Sequence, residues 1–254
     1  MTKELFENII SPEQLSLLVQ TLNIADRSNL FDDLNISTAD KTILKKQIEE
    51  TKDIYLFINK PYENRSGDAA LFKKLEQGVF HRKELRIIYR VHNREEAYRV
   101  KPYRIIFINE NFYLACEVDR PRFQFSLYRI AQISSAEFTG KTFYQNSRIV
   151  RFIKEMQTPM AKYEDKYYEK LIDVRVRISP EKARYFKAKK HLPSQEVIAE
   201  NDDDSLIVSY TVTQEKEIHD LIKRWIPYVQ VIEPASLREA IRRDLVKWLE
   251  DPGG

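Results

Sequence analysis

The spacing of apolar positions divides the chain into three stretches of different period. In the first, Ser11-Pro12-Glu13 supplies an N-cap, a proline at the first helical position and an acid in the first turn. Leu15, Leu17, Leu18, Leu22 and Ile24 then recur at roughly helical spacing. A second helical segment starts at Ser37 or Thr38 and runs through Ile43, Leu44, Ile48 and Ile54 to Ile58, before Pro61. Residues 64–68 read as a loop, and a last helix over about residues 69–77 leads to Gly78 as its C-cap.

The period changes near residue 80. Residues 85–89, 98–101, 105–108, 112–116 and 123–127 are short β-branched or aromatic runs, separated by turn-like clusters at 92–96, 109–111 and 119–122. Five or six strands with no helix between them predict a small antiparallel β-barrel with a concave face. A charged, aromatic connector covers about residues 144–168. Beyond it, 171–178 reads as a strand, Ser179-Pro180-Glu181 opens a helix, and strands 195–200 and 206–212 flank a turn at Asn201-Asp202-Asp203-Asp204. Thr213 then caps a helix that ends before Pro227, 228–232 is a strand, and 236–249 is a terminal helix. That order is βαββαβ, the split ferredoxin-like arrangement. The expected fold class is α+β, with a helical linker or dimerisation segment over 1–80, the barrel over 81–143, a connector over 144–170 and an α/β domain over 171–254.

Composition removes several function classes. Only Gly67, Gly78, Gly140, Gly253 and Gly254 are present among 254 residues, and none has the spacing of a phosphate-cradling loop. Rossmann and P-loop nucleotide binding are therefore excluded. Cys116 is the one cysteine, so neither an intramolecular disulfide nor a CxxC clip can form. His81, His92, His191 and His219 are too scattered for a metal site. There is no charged-then-apolar leader and no apolar run near the roughly 18 residues of a membrane span, so a cytoplasmic protein without membrane contact is expected.

The net charge of +3 is unevenly spread. Residues 81–144 carry 12 basic against 7 acidic side chains, while 1–80 are net acidic and 145–254 nearly balanced. Nine of those twelve cations are arginine, which suits bidentate phosphate contacts and stacking on flat rings. Arg86, Arg90, Arg99, Lys101, Arg104, Arg120, Arg122 and Arg129 interleave with Tyr89, Tyr98, Tyr103, Phe112, Tyr113, Phe125 and Tyr128. Small barrels use that pairing to hold single strands and nucleotides. The competing reading makes the arginines a solvated strand face and the aromatics core, because alternate strand residues must point inward in any case.

Other residues read as structural. Cys116 lies in an apolar strand without a cationic or histidine neighbour and is a core residue. His92 sits in a turn. The acidic residues 202–204 lack EF-hand spacing and read as a hairpin turn. Trp225 and Trp248 read as core or interface anchors. Arg184, Lys187, Lys189 and Lys190 complement the dipole at the end of their helix. Leu237, Ala240, Ile241, Leu245, Trp248 and Leu249 form one stripe of the terminal helix, suited to packing or to a dimer interface. No nucleophile with its base and no metal cluster is legible, so a non-enzymatic protein without cofactor or metal is expected.

Tyr89, then Arg99-Val100-Lys101-Pro102, then Asn111-Phe112-Tyr113-Leu114, then Phe125-Ser126-Leu127-Tyr128-Arg129-Ile130 resembles, in order and spacing, the WYL domain, an Sm-like or SH3-like barrel of bacterial regulators. Asp204-Ser205, Ile222-Lys223-Arg224-Trp225-Ile226-Pro227, and Ile232-Glu233-Pro234 leading into Leu237-Arg238 are similar to the WCX extension that usually follows it. Phe112 stands where the family's tryptophan is usual, Ser126 where many members place arginine, and Tyr128 where aspartate is usual. The resemblance implies a transcriptional regulator whose barrel senses a nucleic acid or nucleotide. A winged helix-turn-helix, attached or on a separate protein, would bind promoter DNA; the acidic first eighty residues lack a basic recognition helix and resemble the linker that follows such a reader. Tyr89, Arg99, Lys101, Tyr113 and Arg129 match the family motif as ligand candidates. Arg104 and Tyr128 join them from the charge pattern, with His92, Arg86, Arg122 and Ser126 as outer members. The protein is expected to act as a homodimer. A protein-interaction adaptor, its arginines meeting an acidic partner, is the alternative.

Overall fold

The structure, a computed structural model, describes residues 69–92, 94–109, 111–120 and 123–250. The helices expected before residue 69, and Arg122, lie outside the described residues. The fold is α+β, with two antiparallel sheets.

Helix α1 (Ala69–Phe80) precedes β1 (Lys83–Val91), β2 (Arg94–Ile108), β3 (Asn111–Arg120), β4 (Phe123–Arg129) and β5 (Ile133–Thr142), which form a sheet ordered β4-β3-β2-β1-β5. A single 3-10 turn, Ile130–Gln132, leads from one edge strand, β4, to the other, β5. Alternation explains the packing. Leu85, Ile87, Val100, Leu114, Cys116 and Tyr128 turn to one face and bury against Leu71 and Leu75 of α1. The opposite face buries Tyr103, Ala115 and Phe125 against Phe143, Tyr163, Tyr167 and the Ile149/Phe152 stripe of α2 (Ser147–Glu155). Helix α2 lies within the stretch read as connector, and Asn146 caps it by accepting the Arg148 N–H at 3.0 Å.

Two expectations change here. The runs at 98–101 and 105–108 belong to one 15-residue strand that carries Pro102 inside it. Gly78 is not a C-cap, because α1 continues to Phe80 and Arg82 takes the left-handed backbone (φ 51°). Gly78 is there for close approach: a Cβ would stand 2.8 Å from Leu85 Cδ1 and 3.3 Å from Pro102 Cγ.

The C-terminal half contains β6 (Ile172–Ile178), α3 (Pro180–Ala188), β7 (Glu196–Glu200), β8 (Leu206–Val212), α4 (Lys216–Arg224), β9 (Val229–Glu233) and α5 (Ala235–Glu250). Its sheet order, β7-β8-β6-β9, is that of a βαββαβ split fold. Val174, Val176 and Ile178 alternate inward with Leu206, Val208, Tyr210 and Val212 and meet Phe186, Ile218, Ile222 and Leu237. Thr213 donates its N–H and hydroxyl to the buried Glu217 carboxylate (2.7 and 2.6 Å), which also accepts from Thr158 at 3.0 Å. Trp225 packs on Phe186, whereas Trp248 and Leu249 extend the α5 stripe into the open, 75% and 71% exposed.

Candidate functional site

Strand register sorts the candidate residues onto two faces. Opposite residues in β1 and β2 include Ile87 with Tyr98, Tyr89 with Glu96, and Arg86 with Arg99. Tyr89 and Tyr98 therefore share the face of the α1 core, and Arg86 and Arg99 the other. In β3 and β4, Leu114 faces Tyr128 and Cys116 faces Ser126 on that core face, while Tyr113 faces Arg129 on the reverse.

At the end of the sheet where β4 passes into β5, the three tyrosines of the core face converge. The Tyr128 ring meets Tyr89 edge-on at 5.0 Å and Tyr98 at 5.5 Å. The Tyr89 hydroxyl donates to Gln132 Oε1 at 2.5 Å, and the Tyr98 hydroxyl donates to Glu96. Burial raises the Tyr89 hydroxyl above the ordinary tyrosine value. The Arg129 backbone N–H and its charge act in the opposite direction, and Tyr113 and Tyr98 also act on this hydroxyl. Tyr89, Tyr98, Tyr113 and Arg129 are all half-buried, and Tyr128 is buried. The result is an aromatic wall on the core face of the sheet whose Tyr89 hydroxyl also feels the charge of Arg129 from the reverse face of β4, chemistry suited to a flat ring carrying an anion.

The remaining candidates lie elsewhere. Lys101 Nζ is 2.6 Å from Glu117 Oε1. Glu117 Oε2 also accepts from the fully buried Tyr103 hydroxyl at 2.5 Å, and Tyr103 in turn accepts the Asn146 N–H at 2.7 Å. Burial and then the bond to Glu117 push the Tyr103 hydroxyl well up. This chain ties β2 and β3 to the start of α2, and Lys101 is its outer member. Arg104 donates to the Tyr103 carbonyl at 2.8 Å. Arg86 faces Glu137 at 3.9 Å, with both side chains at least half exposed. Arg99 is exposed on that same face. His92 occupies the β1–β2 turn with φ 55° and is exposed. Ser126 is half-buried beside Cys116, whose thiol burial pushes well up. Phe112, edge-on to Phe72 of α1 at 5.6 Å, is a packing residue.

Sequence reasoning left out Gln132 and gave Tyr98 no place among the ligand candidates. Tyr98 carried a usable signal, because it is two residues from the inward Val100 and so shares its face. Gln132 carried none, since its place depends on how β4 turns into β5. Among the described residues no cluster of His, Cys, Asp or Glu has metal-binding geometry, and no helix is long and apolar enough to cross a membrane.

Comparison with known proteins adds two family matches. Residues 70–138 match the WYL domain and residues 170–249 match the WCX domain, in that order. No curated protein matches the chain. Among solved structures, proteasome accessory factor B/C (PafBC) of Arthrobacter aurescens is similar at 15% identity and a TM-score of 0.33, over 76% of this chain and 29% of that one. A CRISPR Cas-related protein is similar at 12% identity and a TM-score of 0.46, over 71% of this chain and 50% of that one. The chain thus spans half or less of either structure's length.

Proposed function

We propose that this chain, which carries a WYL domain followed by a WCX domain, is the ligand-sensing and dimerising portion of a WYL-type transcriptional regulator. Its ligand is a single-stranded nucleic acid or a nucleotide-like anion. The observation that carries this reading is the Tyr89/Tyr98/Tyr128 ring cluster, rings for a base, within electrostatic reach of Arg129, a cation for its phosphate at the edge of the sheet. Tyr113 and Gln132 complete the site. Arg99, Lys101 and Arg104 lie outside this ring cluster. The protein is a regulator and not an enzyme, and it controls promoter DNA through an attached or separate reader.

Ligand binding acts by favouring one arrangement of the dimer, which requires different affinities for the two arrangements. The exposed continuation of the α5 stripe, Leu245, Trp248 and Leu249, supports a dimer contact. The test is fluorescence anisotropy of the purified protein with labelled oligothymidine and with labelled adenine nucleotides across a salt series. Binding that weakens with salt is expected for at least one class. No salt-sensitive binding to either overturns the reading and favours the adaptor alternative.

A further inference from the structure

The basic run around the end of α3 takes on a different meaning in the fold. Lys182 Nζ stands 4.6 Å from the centre of the Tyr228 ring and 5.7 Å from that of Tyr185. The Arg184 guanidinium lies 4.8 Å over Tyr185 and donates to its hydroxyl at 2.8 Å. Tyr185 meets Trp225 at 6.0 Å, and Trp225 meets His191 at 5.4 Å. The charges of Lys189 and Arg224 also act on His191. These contacts join into one layer of rings with Lys182 and Arg184 resting against it.

Unlike Lys187 and Lys223, these cations make no salt bridge among the described residues, although Glu181 lies within electrostatic reach of Lys182. Among the described residues, none of Lys182, Arg184, Lys189 and Arg224 forms a salt bridge. Their neighbours do: Lys187 is paired with Glu200, and Lys223 with Asp244 at 2.5 Å. Two titrating groups in the layer register the resulting positive potential. Arg184 and then Lys182 hold the Tyr185 hydroxyl below the ordinary tyrosine value. Burial, and then Lys189 and Arg224, hold His191 below the ordinary histidine value. The buried Trp225 Nε1 and His191 Nε2 also lack hydrogen-bond partners, so this layer is polar at its base as well as its rim.

We infer that this face of the WCX domain binds the phosphate backbone of a single-stranded nucleic acid, as a second site separate from the tyrosine wall. A cation resting on a ring has lost part of its hydration and pairs best with a diffuse, weakly hydrated anion, which describes a phosphodiester better than a carboxylate. Lys182 and Arg184 on neighbouring rings suit successive phosphates, and Tyr185, 41% exposed, offers an edge to a base. The inference does not depend on what the tyrosine wall binds.

The test is anisotropy with fluorescein-labelled oligothymidine of twenty nucleotides, from low to physiological salt, on the full chain and three variants. Losing two phosphate contacts in Lys182→Ala/Arg184→Ala should flatten the slope of log affinity against log salt by about 1.4, roughly 0.7 per contact. Affinity at low salt should fall about tenfold. Lys187→Ala on the same helix, whose cation already has a carboxylate, should bind like the parent. In an Arg129→Ala background the same two substitutions should flatten the slope by the same further amount of about 1.4, which keeps this site distinct from the wall. An unchanged slope in the double variant overturns the inference. So does a polyglutamate peptide that displaces the oligonucleotide at equal charge concentration, since the surface would then be one for acidic proteins.

Discussion

Lys101→Met separates a ligand-binding role from a structural one for a residue that the family motif nominates as a ligand candidate. The side chain is 35% exposed and its partner Glu117 20%, with 2.6 Å between their charged atoms. Exposed pairs contribute about 0–1 kcal/mol, whereas breaking a fully buried pair costs about 3–5 kcal/mol. The half-covered geometry places Lys101→Met between them, at about 1–2 kcal/mol, because Glu117 keeps only the Tyr103 hydroxyl. For a unit of this size that lowers Tm by about 2–8 °C. Glu117→Gln relieves the unpaired charge, so the double variant should lose less than the two single variants together, with a coupling of about 1 kcal/mol. Urea unfolding measures the stabilities, and oligothymidine anisotropy on the folded variant measures binding. The expected result is a lower unfolding midpoint with unchanged binding. A variant that unfolds like the parent and no longer binds would refute the structural assignment and put Lys101 in the site.

Further predictions use the same denaturation assay. Gly78→Ala gains about 1 kcal/mol of helix propensity but forces its Cβ onto the buried Leu85, at about 1–3 kcal/mol, so net destabilisation is expected. A variant more stable than the parent would show that Leu85 yields easily. Glu217→Ala strips the acceptor from Thr158 and Thr213 and should cost about 2–4 kcal/mol, with no loss expected if water replaces the carboxylate. His191 has a folded pKa below its unfolded value, so the unfolded chain binds the proton first. Its contribution is complete above about pH 6.5 and is lost as pH falls from there through the lower folded value. His191→Phe should therefore reduce the stability lost between pH 7.5 and 5.5, and an unchanged loss would assign it to other groups.

The two halves of the chain differ in how much of their fold can be read from the sequence. In β6 and β8 every second residue is buried, and Asn201-Asp202-Asp203-Asp204 turns the chain sharply, so pattern alone recovers the split βαββαβ order. In β2 the buried Pro102 reads as a break between two short strands, although the ladder continues past it. Helix α2 is hidden among charges because its buried stripe consists of only Ile149 and Phe152. For the site, alternation already puts Arg86 and Tyr89 on opposite faces, being three residues apart. The Arg99 and Tyr98 faces follow once the β1–β2 register is known. Neither the partner of Lys101 nor the rings beneath Lys182 and Arg184 could be read in advance, because each depends on residues distant in sequence.

The most direct measurement of the central claim is the affinity of Arg129→Ala for labelled oligothymidine and labelled adenine nucleotide across a salt series. Losing one charge-assisted contact of about 1.5–3 kcal/mol predicts roughly 10- to 100-fold weaker binding. For the oligonucleotide, the salt slope should be shallower by about 0.7. A variant that keeps the parent's affinity and slope for both probes would contradict the account and remove the tyrosine wall as the sensing site.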